Sequence, residues 1–176
     1  MVNFAERMDN VKASDIRELL ALTARPEVIS FAGGLPAPEL FPVDKMLAAT
    51  EAVLKENGPQ ALQYGPTDGY TPLRQHIVNR MKARNKIETD VSHILMTAGS
   101  QQGLDYVARL FCDPGDVVIM ESPSYLGAIN AFTLSQPKYV EIPTDEHGMI
   151  MEELEKVLAT TDRVKFIYVI PDFQNP

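Results

Sequence analysis

The chain has 176 residues, of which 45% are hydrophobic and 23% are charged, the balance of one soluble globular domain. Its formal net charge of −8 argues against a surface for nucleic acid or for an anionic membrane, and no apolar run approaches the roughly 20 residues of a membrane helix. The single cysteine, Cys112, excludes a disulfide framework within these residues and fits a reducing compartment, so we expect a cytoplasmic protein.

The first third of the chain predicts helices separated by an extended segment. Ser14 or the residue after it can cap a first helix that runs to about Thr23. Residues 30–42 contain three prolines and two glycines, which predict an extended, turn-rich segment. Asp44 can cap a second helix, and Asn57-Gly58-Pro59 is a strong signal for its end.

A third helix is predicted to begin at Thr71-Pro72, because threonine is a good cap and proline suits the first helical turn. Leu73, Ile77 and Met81 recur at helical spacing. We therefore expect these three side chains to lie on one face of this helix.

From about residue 91 the pattern changes to strands alternating with helices. The strand candidates are residues 93–97, 116–120, 139–142 and 164–170, and the helix candidates are residues 100–111, 126–133 and 152–159. Val117 to Met120 and Phe166 to Ile170 are continuously apolar, which is typical of strands buried on both faces of a parallel sheet. The pattern predicts an α/β domain with a mainly parallel sheet and flanking helices.

Ligands of open α/β sheets bind outside the carboxyl ends of the strands, so a site is expected among the residues that follow each strand. Ser100 follows Gly99 at the predicted start of a helix. Its hydroxyl and the N–H groups of the first helical turn can face an anion such as a phosphate. The alternative is that Ser100 only caps its own helix, and the local sequence leaves both interpretations open.

Two further loops follow strands at the same predicted edge of the sheet. Tyr125 comes after the second strand candidate and can stack on a flat ligand, although taken alone a tyrosine here is usually just packed at the rim. Asn175 is predicted to be extended because it precedes Pro176, and its amide can hydrogen-bond a ligand, although Asn-Pro alone is usually a turn. A helix N-terminus suited to phosphate, an aromatic ring and a side-chain amide are thus predicted at one edge of the sheet. Their convergence favours a binding site.

Six motifs occur in order over nearly the whole chain. They are Ser14 to Leu20, Ser30 to Pro42, Gln63 to Arg74, Thr97 to Asp105, Glu121 to Tyr125 and Pro171 to Pro176. With these motifs the sequence resembles the fold-type-I pyridoxal-phosphate-dependent aminotransferases, and within them the branch of 2-aminoadipate and kynurenine transaminases. The resemblance implies an N-terminal helix and arm over residues 1–43 and the first part of the cofactor-binding large domain over residues 44–176. It also implies that the strand before Ser100 lies apart from the next three, with downstream strands in the gap.

The resemblance implies a set of cofactor-binding residues. Ser100 and Gln101 would bind the phosphate of pyridoxal phosphate, Tyr125 would stack on the pyridine ring, and Asn175 would hydrogen-bond the phenolic oxygen of the ring. Tyr64 would reach the cofactor phosphate of the partner subunit, which requires a homodimer with shared sites.

The same resemblance implies how the substrate is held. Gly34, together with Gly33, would lie against the substrate carboxylate through backbone contacts, and Asn175 would lie beside the substrate. Arg17 would pair with an acidic substrate side chain, although a solvated helix-face arginine is the alternative. The implied activity is transamination between an acidic, aromatic or 2-aminoadipate-like amino acid and a 2-oxo acid.

In this family the lysine that forms the Schiff base lies downstream of the Asn-Pro motif, so we expect no catalytic residue within these 176 residues. The chain is therefore expected to be the N-terminal piece of a longer protein and to be inactive alone. The alternatives are a cofactor-sensing domain of a MocR-type transcriptional regulator and an inactive fragment. The three histidines lie in no metal-ligand spacing, so no metal site is expected.

Overall fold

The computed structural model describes residues 3–11, 27–29 and 36–176. The chain divides into two compact units: a first unit of residues 35–97, and a second unit of residues 98–176 together with residues 1–34. The helix predicted to begin near Ser14 lies outside the described residues, and the division predicted after residue 43 stays a prediction. Among the helices of the described ranges, none combines the length and the apolar character needed to span a bilayer.

The first unit is helical. Its elements are helix α1 (Val43–Ala61), helix α2 (Thr71–Arg80), 3-10 turns at Pro38–Leu40 and Val91–His93, and a π-helical turn at Met81–Asn85. The predicted helix end at residues 57–59 is confirmed in that the backbone of Asn57 is not helical (φ −138°, ψ 28°), and a second short helical segment follows the kink to Ala61. Pro59 is tolerated there because the first turn after a kink needs no N–H from it. The predicted cap is wrong: Asp44 lies inside the first turn, and Pro42 is the N-cap.

Helix α2 begins at Thr71 with Pro72 in its first turn, as predicted. The predicted cap is wrong, because the N-cap residue is Tyr70 and Thr71 is the first helical residue.

The buried residues of α2 are Arg74 and Val78, while Ile77 and Met81 are half-buried and Leu73 is exposed. Residues 74, 77, 78 and 81 share one side of the helix. The apolar pattern therefore indicated the correct side at Ile77 and Met81. It missed Arg74, which is only 5% exposed and satisfies its N–H groups inside the unit.

Arg74 joins α2 to two other segments of the first unit. Its Nε donates to the carbonyl oxygen of Ile94 at 2.8 Å, its Nη2 donates to that of Val91 at 2.6 Å, and its Nη1 pairs with the carboxylate of Asp68. The Met96 N–H donates to the Asp68 carbonyl oxygen at 3.0 Å. Arg74 and Asp68 thus hold the loop after Tyr64 against residues 91–96.

The strand predicted over residues 93–97 is wrong. His93 ends a 3-10 turn that Asp90 caps by accepting from the Ser92 N–H, and Ile94 is extended (φ −109°, ψ 119°). Within the described residues no strand lies beside residues 94–97 to complete a ladder. An extended segment becomes a strand only when a neighbouring strand accepts its backbone hydrogen bonds.

The second unit alternates helices and strands as predicted. Besides a 3-10 turn at Glu6–Asn10, its elements are α3 (Ser100–Phe111), β1 (Val117–Ser122), α4 (Leu126–Thr133), β2 (Lys138–Asp145), β3 (Gly148–Met149), α5 (Met151–Thr160) and β4 (Val164–Tyr168). The sheet order is β3-β2-β1-β4, with β1 parallel to both β2 and β4. The mainly parallel sheet is confirmed. The two-residue β3, antiparallel to β2, was too short to be predicted.

Helices cover both faces of the central strand β1. Val118 and Met120 pack with Phe132 and other residues of α3 and α4, and Val117 and Ile119 pack on the opposite side with residues that include those of α5. The prediction of burial on both faces is confirmed for this strand. It is wrong for β4, where Ile167 is 41% exposed.

Strand β4 lies at an edge of the sheet, and its side chains alternate between half-buried and exposed. Phe166 and Tyr168 point to the side of α4, and their rings meet Phe132 edge to face with centroids 5.3 Å and 5.5 Å apart. Such aromatic contacts add to the burial energy. One face of β4 therefore belongs to the core and the other does not.

A buried carboxylate holds the amino ends of β1 and β4 together. Asp116, only 1% exposed, pairs through Oδ1 with Arg163 Nη2 at 2.6 Å and through Oδ2 with Lys165 Nζ at 3.3 Å. The Asp113 N–H also donates to Asp116 Oδ2 at 2.8 Å. The pKa of Asp116 is lowered, first by this backbone hydrogen bond and then by Arg163 and Lys165, against an opposing effect of burial.

We predict that Asp116→Asn lowers stability at neutral pH and flattens its loss in acid. The folded pKa lies below the unfolded one, so the carboxylate stabilises fully above the unfolded pKa and loses that effect as the pH falls through the folded pKa. Urea unfolding at a series of pH values from neutral to acidic measures this. The control is Asp113→Asn, because that residue contributes its backbone N–H to the cluster. A variant at Asp116 with the wild-type acid dependence would contradict the prediction.

Candidate functional site

The carboxyl end of β1 meets the amino ends of two helices. Strand β1 ends at Ser122, and α4 begins at Leu126 with Tyr125 as its N-cap residue. The side-chain amide of Gln101, in the first turn of α3, donates to the carbonyl oxygen of Gly127 at 3.0 Å. The first turns of α3 and α4 are therefore joined at the edge of the sheet where the sequence predicted a site.

Ser100 is the first residue of α3, and Gly99 is its N-cap residue. In this part of the described chain no side chain caps the helix, so Ser100 does not act as the cap that the alternative interpretation assigned to it. Its side chain is exposed. An exposed hydroxyl beside the first N–H groups of a helix, at the positive end of the helix dipole, can bind an anion.

The Tyr125 residue is half-buried, and its ring lies directly against Gly127. A Cβ atom at position 127 would stand 2.5 Å from Cε1 and Cζ of the ring, so only glycine leaves the ring this space. Tyr125 and Tyr168 both pack against the core cluster that contains Met120 and Phe132. The pKa of Tyr168 is raised, chiefly by burial and further by Tyr125 and Glu121.

The segment that carries Asn175 is tied to the end of β1 by Glu121. This carboxylate, 6% exposed, accepts through Oε2 from the Ile170 N–H at 3.0 Å and from the side-chain amide of Gln174. The oxygen of the same Gln174 amide accepts from the Asn175 N–H at 3.0 Å. Asn175 is itself exposed. The structure therefore brings residues 170–175 to the strand that leads to Tyr125.

One polar atom at this edge has no partner. Within the described residues, the Ser124 hydroxyl oxygen is the buried side-chain polar atom without a hydrogen bond. It lies in the loop between β1 and α4, one residue before Tyr125. An unsatisfied buried hydroxyl is costly, and a ligand at this edge is one way to satisfy it.

The remaining predicted site residues are not placed at this edge by the described structure. Tyr64 belongs to the first unit and is 99% exposed. Arg17, Gly33 and Gly34 lie outside the described residues. The second unit thus brings together Ser100, Gln101, Tyr125 and Asn175, and the roles of the others stay predictions.

Sequence reasoning gave no role to Glu121, Gln174, Ser124 or Gly127, although all of them lie in or beside the motifs. A signal existed only for Glu121, since an acidic residue that closes an apolar run on a buried strand needs a partner. Gln174 and Gly127 are recognisable only once the chain is folded, because their contacts join segments far apart in sequence.

Known proteins share the sequence and the fold of this chain. Residues 28–171 match the family model of aminotransferase class I and II. Over 98% of its length the chain is 46% identical to aromatic-amino-acid aminotransferase 1 of Thermococcus litoralis, and likewise 47% identical to 2-aminoadipate transaminase of Thermus thermophilus. The crystal structure of Pyrococcus horikoshii kynurenine aminotransferase in complex with PMP superposes on 98% of the chain with a TM-score of 0.90 and 39% identity. The predicted fold is confirmed.

The chain spans less than half the length of these relatives. It covers 42% of each of the two curated proteins and 44% of the solved structure. Activities and ligands in the names of the relatives therefore belong to proteins with additional residues.

We predict that Gly99→Ala destabilises the protein by about 1–3 kcal/mol, because φ 89° with ψ 171° is a conformation that only glycine adopts readily. Space is not the cause, since no atom lies within 4 Å of the added Cβ. Urea unfolding provides the measurement. Gly65→Ala is the matched control, since position 65 has equally open space and no left-handed φ, and it should gain about 0.5 kcal/mol. Equal effects of the two substitutions would contradict the assignment.

Proposed function

The chain belongs to the family of class I and II aminotransferases, and from this premise we propose that it supplies part of the cofactor site of a pyridoxal-phosphate-dependent aminotransferase. The observation that carries the proposal is the meeting of three segments at the carboxyl end of β1. They are the first turn of α3, the loop of Tyr125, and residues 170–175.

The residues at this edge fit a flat, phosphorylated ligand. The exposed N-terminus of α3, with the Ser100 hydroxyl beside it, suits a phosphate dianion. The Tyr125 ring, for which Gly127 leaves room, suits a planar heteroaromatic ring. The Ser124 hydroxyl and the exposed Asn175 amide are polar groups that such a ligand can satisfy.

Pyridoxal phosphate, when bound, supplies an electron sink for chemistry at the α-carbon of an amino acid. The residues of this chain would bind and orient it. Ser100 and Gln101 would hold the phosphate, Tyr125 would stack on the ring and exclude water from one of its faces, and the Asn175 amide would donate to the phenolic oxygen. In the proposed reaction an amino group passes between an amino acid and a 2-oxo acid.

The proposed substrates are acidic, aromatic or 2-aminoadipate-like amino acids, supported by the aromatic, 2-aminoadipate and kynurenine activities in the names of the relatives. Gly33 and Gly34 would contact the substrate carboxylate, and Arg17 would pair with an acidic substrate side chain. We place the enzyme in the metabolism of amino acids. We also place it in the cytoplasm, because the buried, free thiol of Cys112 fits a reducing compartment.

The proposed assembly is a homodimer with shared sites. Its support is Tyr64, whose side chain is 99% exposed and thus available to a second subunit. In that assembly Tyr64 would reach the cofactor phosphate bound by the partner.

The direct test uses the full-length protein that contains this chain. The absorbance of bound pyridoxal phosphate is recorded first, and conversion of 2-aminoadipate, glutamate and aromatic amino acids with a 2-oxo acid is then assayed. Binding with turnover supports the aminotransferase. Binding without turnover of any amino acid supports the regulator alternative, and absence of binding rejects the proposed site.

We predict that Ser100→Asp reduces pyridoxal phosphate affinity by about 100-fold, because the new carboxylate would stand where the phosphate binds. The helix itself should not suffer, since an acidic residue in the first turn interacts favourably with the helix dipole. Equilibrium dialysis of the cofactor and urea unfolding, measured on the same variant, separate the two effects.

The matched control is Thr71→Asp, which places the same residue at the first position of α2. This variant should keep the wild-type cofactor affinity. If Ser100→Asp binds the cofactor as well as Thr71→Asp does, the phosphate does not lie at the N-terminus of α3.

A further inference from the structure

The ladder between β1 and β4 ends just before the proposed site. Its last pair is Met120 with Tyr168, and residues 169 and 170 leave the sheet. One residue further along β1, the Glu121 side chain reaches across and accepts from the Ile170 N–H at 3.0 Å. A carboxylate thus replaces the missing backbone acceptor and sets the path of the chain after β4.

Gln174 extends this connection to Asn175. Its amide nitrogen donates to Glu121 Oε2, and its amide oxygen accepts from the Asn175 N–H at 3.0 Å. Because the donor end and the acceptor end of the amide are both occupied, the orientation of the Gln174 side chain is fixed. Glu121, Gln174 and the Asn175 backbone form one continuous chain of hydrogen bonds.

The side chain of Asn175 takes no part in this chain of hydrogen bonds. Within the described residues only its backbone N–H is engaged, and the residue is exposed. The backbone N–H of Asn175 is therefore held, and its side-chain amide is left for a ligand.

Glu121 is an unusual residue for a purely structural position. It is 6% exposed, and among the described residues no lysine, arginine or histidine forms an ion pair with it. Burying a carboxylate without a cation is costly, and an apolar residue would usually serve stability as well or better. What an apolar residue could not do is accept two N–H groups at once.

We propose that Glu121 and Gln174 are positioning residues that hold Asn175 for its contact with the cofactor. The inference rests on the proposed function, because it assumes that the Asn175 amide faces the cofactor. Neither residue contacts the cofactor in this proposal. Both act through the backbone of residues 170–175.

The first experiment needs no bound cofactor. Amide hydrogen exchange of residues 168–175 is measured in the full-length apoprotein for wild type, Glu121→Met, Gln174→Met and Glu121→Gln. Glu121→Met should raise exchange at Ile170 and Asn175 about tenfold or more, and Gln174→Met should do so at Asn175 alone. Glu121→Gln keeps an acceptor oxygen and should stay within about threefold of wild type.

Glu141→Gln is the matched control. Glu141 lies on β2 at the same end of the sheet and accepts from the Ser122 hydroxyl at 2.9 Å, and its hydrogen bond does not involve residues 168–175. Exchange in that segment should equal wild type. Wild-type exchange in both Glu121→Met and Gln174→Met would overturn the inference. Gln174→Met changes an exposed side chain, so its outcome does not depend on the tolerance of a buried position.

The second experiment is a double-mutant cycle on pyridoxal phosphate affinity. Glu121→Met should weaken binding about tenfold in the wild-type background but less than about threefold in the Asn175→Ala background, because a positioning residue has little effect once the positioned side chain is gone. Equal losses in the two backgrounds would show a merely structural effect and overturn the inference. If the wild-type protein binds no pyridoxal phosphate, the proposed function fails first. If the wild-type protein binds pyridoxal phosphate but Glu121→Met weakens binding equally in the two backgrounds, only this inference fails.

Discussion

The burial of β1 on both faces is the constraint on which the second unit depends. Val118 and Met120 pack on one side with α3 and α4, while Val117 and Ile119 pack on the other with α5. Parallel neighbours on both edges also fix the strand laterally. A strand held in this way has a fixed carboxyl end, so the loops that leave it and the helix termini that meet it are positioned by the core.

Two buried carboxylates mark the ends of this strand, and their partners differ. Asp116 at the amino end is paired with two cations and one N–H group, as expected of a group that secures the sheet. Glu121 at the carboxyl end is bound by N–H donors from residues 170 and 174. Both carboxylates are thus held by hydrogen bonds, but Asp116 connects two strands of the sheet, whereas Glu121 connects a strand to an irregular segment. The end of the strand nearer the proposed site therefore positions a loop.

The sequence predicted those elements whose apolar pattern coincides with local signals for a boundary. Helix α3 has the predicted bounds, since Gly99 precedes it and Cys112-Asp113-Pro114 ends it. Two errors have one cause, which is that contacts distant in sequence decided the outcome. In the part of the chain that the structure describes, residues 94–97 have no neighbouring strand, so they form no ladder. The burial of Arg74 depends on carbonyl acceptors at residues 91 and 94, which no pattern within α2 reveals.

The residues of the proposed site also divide into those that the local sequence reveals and those that only contacts distant in sequence reveal. Tyr64 and Asn175 are exposed, and the motifs that contain them made them visible in the sequence. The residues that hold their surroundings in place, Arg74 in the first unit and Glu121 in the second, are buried and polar. Each of them hydrogen-bonds a backbone segment at least 17 residues away. A buried polar side chain must find such partners, so it transmits the rigidity of the core to an irregular loop. Loops that present ligand-binding groups have few apolar contacts of their own, which makes this rigidity a requirement for a preorganised site.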